Sequence, residues 1–226
     1  FRRIDNLSTF INLKVLYLES NCIREIEGLD SLVNLTGLYL QENMIEKIAN
    51  LNKLIHLHTL NLSDNRIKCI ENLEFNTKLS SLLLKRNLIE DPSGLLSLPP
   101  SVSVIDISDN RIEYDKIIDD YLVYVSGLKV LYLHGNDCTR RIPYYRKTMI
   151  YKITQLKYLD DKPVFDDERL FSEAFGRGGL EEERKEREKY RQEKKEEQVR
   201  RVFEFQEMID GWKKTRGESI VREDKE

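Results

Sequence analysis

The chain has 226 residues, of which 40% are apolar and 34% charged, and its formal net charge is −3. That length bounds the protein to one large domain or one domain with an appendage, and a charged fraction above the usual quarter requires some strongly polar segment. The near-neutral balance lacks the basic surplus of a dedicated nucleic-acid binder. No apolar run of about 18 residues is present to span a membrane, and the sparse cysteines Cys22, Cys69 and Cys138 suit a reducing compartment rather than a disulfide framework.

Residues 1–12 carry Ile4, Leu7 and Phe10, which read as the tail of a repeat, so the expected solenoid starts before Phe1 with its first repeat truncated. The full repeat follows. Asparagines stand at Asn21, Asn43, Asn65, Asn87, Asn110 and Asn136, at steps of 22, 22, 22, 23 and 26 residues. Five before each stand Leu16, Leu38, Leu60, Leu82, Ile105 and Leu131, and three before stand Leu18, Leu40, Leu62, Leu84, Ile107 and Leu133. The frame is L-x-x-L-x-L-x-x-N-x-I, six times over. Its L-x-L step has period two and predicts a short strand with its leucines on one face. A single strand cannot bury that face, but stacked copies bury it against one another in a continuous core. The fold class is therefore an α/β repeat solenoid over residues 1–142. The Asn amide is expected to satisfy backbone groups at the bend after each strand. A 22-residue coil leaves room for only 3₁₀ turns on the convex side, lined by Ile26, Ile48, Ile70, Leu29, Leu51 and Leu73.

The residues between the ladder leucines face the concave side. Four before each Asn stand Tyr17, Tyr39, Asn61, Leu83, Asp106 and Tyr132; two before stand Glu19, Gln41, Ser63, Lys85, Ser108 and His134. Exposed tyrosines are preferred anchors for protein partners. The candidate concave binding set is thus Tyr17, Tyr39, Asn61, Leu83, Lys85, Asp106, Tyr132 and His134.

Residues 143–175 are expected to cap the open end of the core, with Ile150, Ile153, Leu156 and Leu159 stepping by three as a helix and turn. Gly176-Arg177-Gly178-Gly179 follows. With no preceding strand and no Lys-Ser or Lys-Thr after it, this run fails the P-loop template and reads as a hinge. From 180 to 226 the chain is a charged arm. Residues 181–200 hold eight acidic and eight basic side chains, with Glu181–Lys185, Glu183–Arg187, Glu196–Arg200 and Glu197–Arg201 at i,i+4 in the favourable order. Val199, Val202, Phe205, Ile209 and Trp212, the last the only Trp in the chain, then form an apolar stripe that must pack on the solenoid or on another protein.

No catalytic, metal or cofactor site emerges. His56, His58 and His134 lie outside any nucleophile or base context, the cysteines are repeats apart, and the adjacent carboxylates Asp160-Asp161 and Asp166-Asp167 read as loop and capping chemistry. The basic stretch from Arg140 to Lys147 reads as local cap surface.

The 22-residue frame with I-x-x-I-E-x-L resembles the SDS22-like class of leucine-rich repeats. The cap N-D-C-T-R-R-I-P-Y-Y-R-K-T-M from Asn136, the run Tyr158–Phe165, and Ser172-Glu173-Ala174-Phe175-Gly176-Arg177-Gly178-Gly179 ahead of the charged helix resemble the dynein axonemal assembly factor 1 family. Phe175 stands where that family usually has Trp. The resemblance implies a non-catalytic scaffold in motile cilia, needed for assembly of axonemal dynein arms. Its implied partners are dynein subunits, assembly chaperones or axonemal and tubulin-associated proteins, and its implied location is cytoplasm and axoneme, with no nucleic acid or membrane involved. The alternatives are a phosphatase regulatory subunit or a fixed structural component of the axoneme. Near Arg201 the chain reads Val202-Phe203-Glu204, which fails the common phosphatase docking motif.

Overall fold

The computed structural model describes residues 1–223, with side chains through Lys213. The chain divides after Ser172 into two compact units. In the first, three-residue strands β1 (Val15–Tyr17), β2 (Gly37–Tyr39), β3 (Thr59–Asn61), β4 (Ser81–Leu83), β5 (Val104–Asp106) and β6 (Val130–Tyr132) pair in parallel, each with the next. The register is one repeat per strand: Leu16, Leu38, Leu60, Leu82, Ile105 and Leu131 align. Within the described residues the sheet has eight strands in sequence order, because the cap adds β7 (Tyr158–Leu159), parallel to β6, and β8 (Lys162–Pro163), antiparallel to β7. The cap is therefore not only the expected helix and turn: Leu159 extends the leucine row by one more strand.

The ladder leucines from Leu35 to Leu133 are buried, as are Ile26, Ile48, Ile70, Leu29, Leu51 and Leu73 on the convex side. Full burial of one such side chain stabilises by about 1.5–3 kcal/mol. Leu13, Leu16 and Leu18 of the first coil are only partly buried. The convex turns follow the expectation in the 22-residue coils and depart from it in the last, where an α-helical turn forms. In the 22-residue coils they are successive i→i+3 turns, such as Leu32 N–H to Leu29 O and Leu35 N–H to Leu32 O, without a 3₁₀ helix. Helical turns occur where coils lengthen: a 3₁₀ segment at Ser93–Ser97 in the 23-residue step, then α1 (Ile117–Asp120) and a 3₁₀ segment at Leu122–Tyr124 in the 26-residue step. The extra residues go into closing one more turn.

Each ladder Asn bonds backbone of two coils. Asn65 Nδ2 donates to Leu40 O at 2.9 Å, Leu62 O at 3.1 Å and Ser63 O at 3.1 Å, and its Oδ1 accepts Ile45 N–H at 2.9 Å. Asn43, Asn87 and Asn110 repeat this pattern. The preceding residues Ser20, Glu42, Asp64, Arg86 and Asp109 are left-handed, which turns the chain off the strand. A second ladder escaped the sequence reading. Asn50 Nδ2 donates to Ile26 O and Asn72 Nδ2 to Ile48 O, both at 2.7 Å. Gly94 takes the next position, where a Cβ would lie 1.9 Å from Ile70 O.

The C-terminal cap contains α2 (Asp137–Arg141) and α3 (Tyr145–Lys152). Arg146 holds it together, reaching Glu168 with Nε at 2.6 Å and Nη2 at 2.7 Å and donating to Leu159 O and Pro163 O. The basic stretch from Arg140 to Lys147 is in part consumed by such bonds, Arg141 pairing with Glu113 at 3.0 Å.

The long helix α4 (Asp166–Glu223) starts inside the segment expected to be only cap. It is broken at Gly178 (φ −154°, ψ 24°) and Gly179 (φ 68°, ψ −155°). The hinge is thus two residues, not the expected four of 176–179, since Gly176 and Arg177 remain helical. Gly179 adopts a backbone geometry open only to glycine. Of the arm expected over 180–226, residues 224–226 lie outside the described residues. Glu183–Arg187 and Glu197–Arg201 pair as expected, at 2.8 and 2.5 Å. Glu181 instead turns to Arg184, Lys185 to Glu182, and Glu196 accepts from Gln192.

Candidate protein-binding site

The parallel register places Tyr17, Tyr39, Asn61, Leu83, Asp106 and Tyr132 in one column across the concave sheet. Its chemistry changes along the column. At the first coils Tyr17 and Tyr39 stack, with ring centroids 4.6 Å apart and planes at 17°. Tyr17 is 62% exposed. Gly37 makes this packing possible: a Cβ there would lie 3.3 Å from Tyr39 Cε2 and 3.4 Å from Val15 Cγ1. Two aromatic faces held rigid in this way offer area at low cost in conformational entropy.

The middle of the column is polar and partly self-satisfied. Asn61 Oδ1 accepts Ser63 N–H at 3.1 Å, and Asp106 Oδ1 accepts both the N–H and the hydroxyl of Ser108 at 3.0 and 2.6 Å. Leu83 sits half-buried between them. Ser108 itself is fully buried, so it drops out of the outward-facing row in which its spacing placed it; its hydroxyl points to Asp106 instead. At the far end Tyr132 meets His134 at 6.4 Å and Tyr158 at 5.8 Å between centroids. Tyr158 was missed because the cap strand lacks the asparagine that marks a repeat. Desolvation pushes the Tyr132 phenol up, so it stays a neutral donor.

Lys85 Nζ lies 3.6 Å from Asp109 Oδ2, and His134 Nδ1 lies 3.4 Å from Asp160 Oδ1. Asp160 is chiefly structural, accepting the N–H groups of Leu133 and His134 at 2.9 and 3.0 Å. Just before the ladder Asn stand Glu42, Asp64, Arg86 and Asp109, with Arg86 paired to Asp64 and Lys85 to Asp109; just before the strands, exposed Lys14 and Lys129 are separated by Thr36, His58, Ser80 and Ser103.

Among the described residues, no cluster of three His, Cys, Asp or Glu side chains is placed to hold a metal ion. Burial pushes the Cys138 thiol up to about 11, which keeps it protonated and unreactive. His56 Nδ1 meets Lys78 Nζ, and His58 Nδ1 meets His56 O. No helix among the described residues is long and apolar enough to cross a membrane.

On the arm, Val202, Phe205, Ile209 and Trp212 keep steps of three, four and three and share one helix face, with Trp212 70% exposed. Val199, expected on the same stripe, falls about 100° to one side of it at 100° per residue. Phe203 and Met208 are also exposed and were not singled out.

Comparison with known proteins gives this architecture a family. A leucine-rich-repeat family model matches residues 56–188, and a model of two such repeats matches 11–53 and 33–75. The chain belongs to the leucine-rich repeat family. It is 52% identical over 92 residues to a dynein axonemal assembly factor 1 homolog of Anopheles gambiae, covering 41% of this chain and 10% of that protein. The Drosophila melanogaster homolog is 42% identical over 110 residues, 48% of this chain and 7% of the relative. The leucine-rich repeat-containing protein ODA7 of Chlamydomonas reinhardtii is 40% identical over 118 residues, 51% of this chain and 27% of the relative. The chain thus matches only a small part of these relatives' length. The resemblance drawn from the cap and the glycine run is borne out by these names. Among solved structures, a chain of the Drosophila melanogaster SNF/U2A′ complex aligns with TM-score 0.53 and 30% identity, over 59% of this chain and 76% of its own. A leucine-rich-repeat protein of Leptospira interrogans, 19% identical, aligns with TM-score 0.54 over 67% of this chain and 38% of its own, and shares the fold alone.

Proposed function

We propose that this leucine-rich-repeat chain is a non-catalytic scaffold in the assembly of axonemal dynein arms, and that its concave face binds a protein partner of that process. The relatives named for dynein assembly support the process. The observation that carries the binding role is the Tyr17–Tyr39 stack, with Tyr17 exposed and the exposed charges of Lys14, Glu19 and Glu42 around it. Aromatic anchors ringed by charge combine affinity with orientation. The partners are dynein subunits, assembly chaperones or axonemal proteins, and the site of action is the cytoplasm of ciliated cells and the cilium.

The test is affinity purification of tagged protein from ciliated cells, with and without Tyr17→Ala and Tyr39→Ala together. The expected outcome is recovery of dynein heavy chain by the parent and a drop of about tenfold in the double variant, equivalent to ~1.4 kcal/mol. Recovery of phosphatase catalytic subunits without dynein would overturn the process, and unchanged recovery by the double variant would overturn the site.

A further inference from the structure

The arm segregates its charges around the helix as well as along it. At about 100° per residue, the stripe of Val202, Phe205, Ile209 and Trp212 has a midline against which every charged residue from 191 to 213 can be placed. Arg191, Lys194, Lys195, Arg201 and Lys213 fall within about 60° of that line, while the six carboxylates of the same stretch lie about 100° or more away and Arg200 stands alone among the cations on their side. One face is therefore cationic and apolar; the other is predominantly acidic, with Arg200 and Phe203 among its carboxylates. Composition hides this because the two signs cancel. The order along the face also matters: the cations from Arg191 to Arg201 precede the apolar positions.

We propose that this face of the arm is a second docking surface, and that its occupant is an acidic amphipathic helix of a partner protein. The proposal rests on the reading of the chain as a binding scaffold and gives that scaffold a partner class. An occupant helix would set apolar side chains on Val202–Trp212 and carboxylates along Arg191–Arg201. Over 22 residues at about 1.5 Å each, the two helices would share roughly 33 Å. The charge pattern selects this occupant over others. Two copies of the arm meeting face to face would oppose cation to cation if parallel and cation to apolar side chain if antiparallel, leaving the cations unpaired either way. An anionic bilayer favours a helix whose apolar face runs its whole length, whereas here Val202–Trp212 span only about three turns of a much longer helix. The cations are available. Glu197 draws Lys194 at 3.1 Å and Arg201 at 2.5 Å, and both hold its carboxyl below the usual range. Such exposed pairs are weak and exchange readily for a partner's carboxylate.

Trp212 supplies the readout, being the only Trp in the chain and sitting on the proposed contact. The full-length protein is titrated with a synthetic helix bearing Leu at core positions and Glu at flanking ones. A copy with Lys in place of Glu, and phosphatidylserine vesicles, run in parallel. We expect Trp212 emission to shift to shorter wavelength with the Glu helix alone, and affinity to fall about tenfold or more as salt rises from low to roughly 0.5 M. The triple variant K194E/K195E/R201E should lose the shift while its circular dichroism stays that of the parent. Equal response to both peptides, a shift with vesicles alone, or a shift driven by self-association without peptide would each overturn the proposal. Failure here leaves dynein recovery through Tyr17 and Tyr39 untouched, so the two readings fall separately.

Discussion

Asn65 carries more of the solenoid's stability than its size suggests. Its amide bonds four backbone groups in adjacent coils and is 7% exposed, so truncation leaves buried donors and acceptors unpaired. Each such orphan costs about 1–3 kcal/mol. We therefore expect Asn65→Ala to destabilise by about 3 kcal/mol, and Asn21→Ala by clearly less. Asn21, on the first coil, is more exposed, and its amide nitrogen reaches only Leu18 O and Glu19 O. Urea denaturation of both variants checks the order; equal midpoints would sink it. The ladder role was readable from sequence because the same residue type returned every coil. The second ladder was harder to read, since Asn50 and Asn72 give way to Gly28 and Gly94 and the pattern dissolves.

At the scale of elements, the strands were legible because each repeats one two-residue alternation, and a single register follows. What stayed hidden was what lacked a repeat. Strand β7 carries Tyr158 to the concave side without an Asn to announce it, and the break in α4 rests on the φ of one glycine among three. The concave candidates fell in the right column, yet spacing cannot tell a free Asp106 from one already bonded to Ser108. The stripe on the arm was found by its steps, while the sorting of its charges by face needed the helix to be continuous. Gly94 offers an element-level test. It sits where the turn at Ser93–Ser97 presses on the neighbouring coil, and a Cβ would collide with the backbone at Ile70. Gly94→Ala should cost about 1–3 kcal/mol by overpacking, read as a lowered Tm, with the circular dichroism of the folded protein unchanged. A Tm equal to the parent's would show that the turn yields freely.

For the first unit as a whole, the two ends of the sheet differ. The end at β8 carries Lys162 and Pro163, and a proline offers no donor to a further strand. Between the ends, stability is a sum of coils and of contacts between neighbouring coils. Amide exchange should accordingly be slowest at Leu60, Leu82 and Ile105 and faster at Leu16, whose side chain is only partly covered. Exchange at Leu16 as slow as at Leu82 would contradict this.

The Asn ladder has one more consequence. Two of the bonds each inner Asn makes reach the preceding coil, at the same offsets throughout the 22-residue coils, so this part of the solenoid has a unit of length. Excision of residues 44–65 would splice Asn43 directly to Arg66, recreating the seam found at every other coil. The shortened protein should still fold, with Tyr39 now beside Leu83, and should melt in one cooperative step. Removal of half that length, residues 44–54, would take away Ile45, whose N–H bonds Asn65, and leave too few residues to carry Asn65 round to Leu40 O, and should give no folded product. The chain can thus be edited in whole coils but not in fractions of one, and each edit redraws which side chains are neighbours on the concave face.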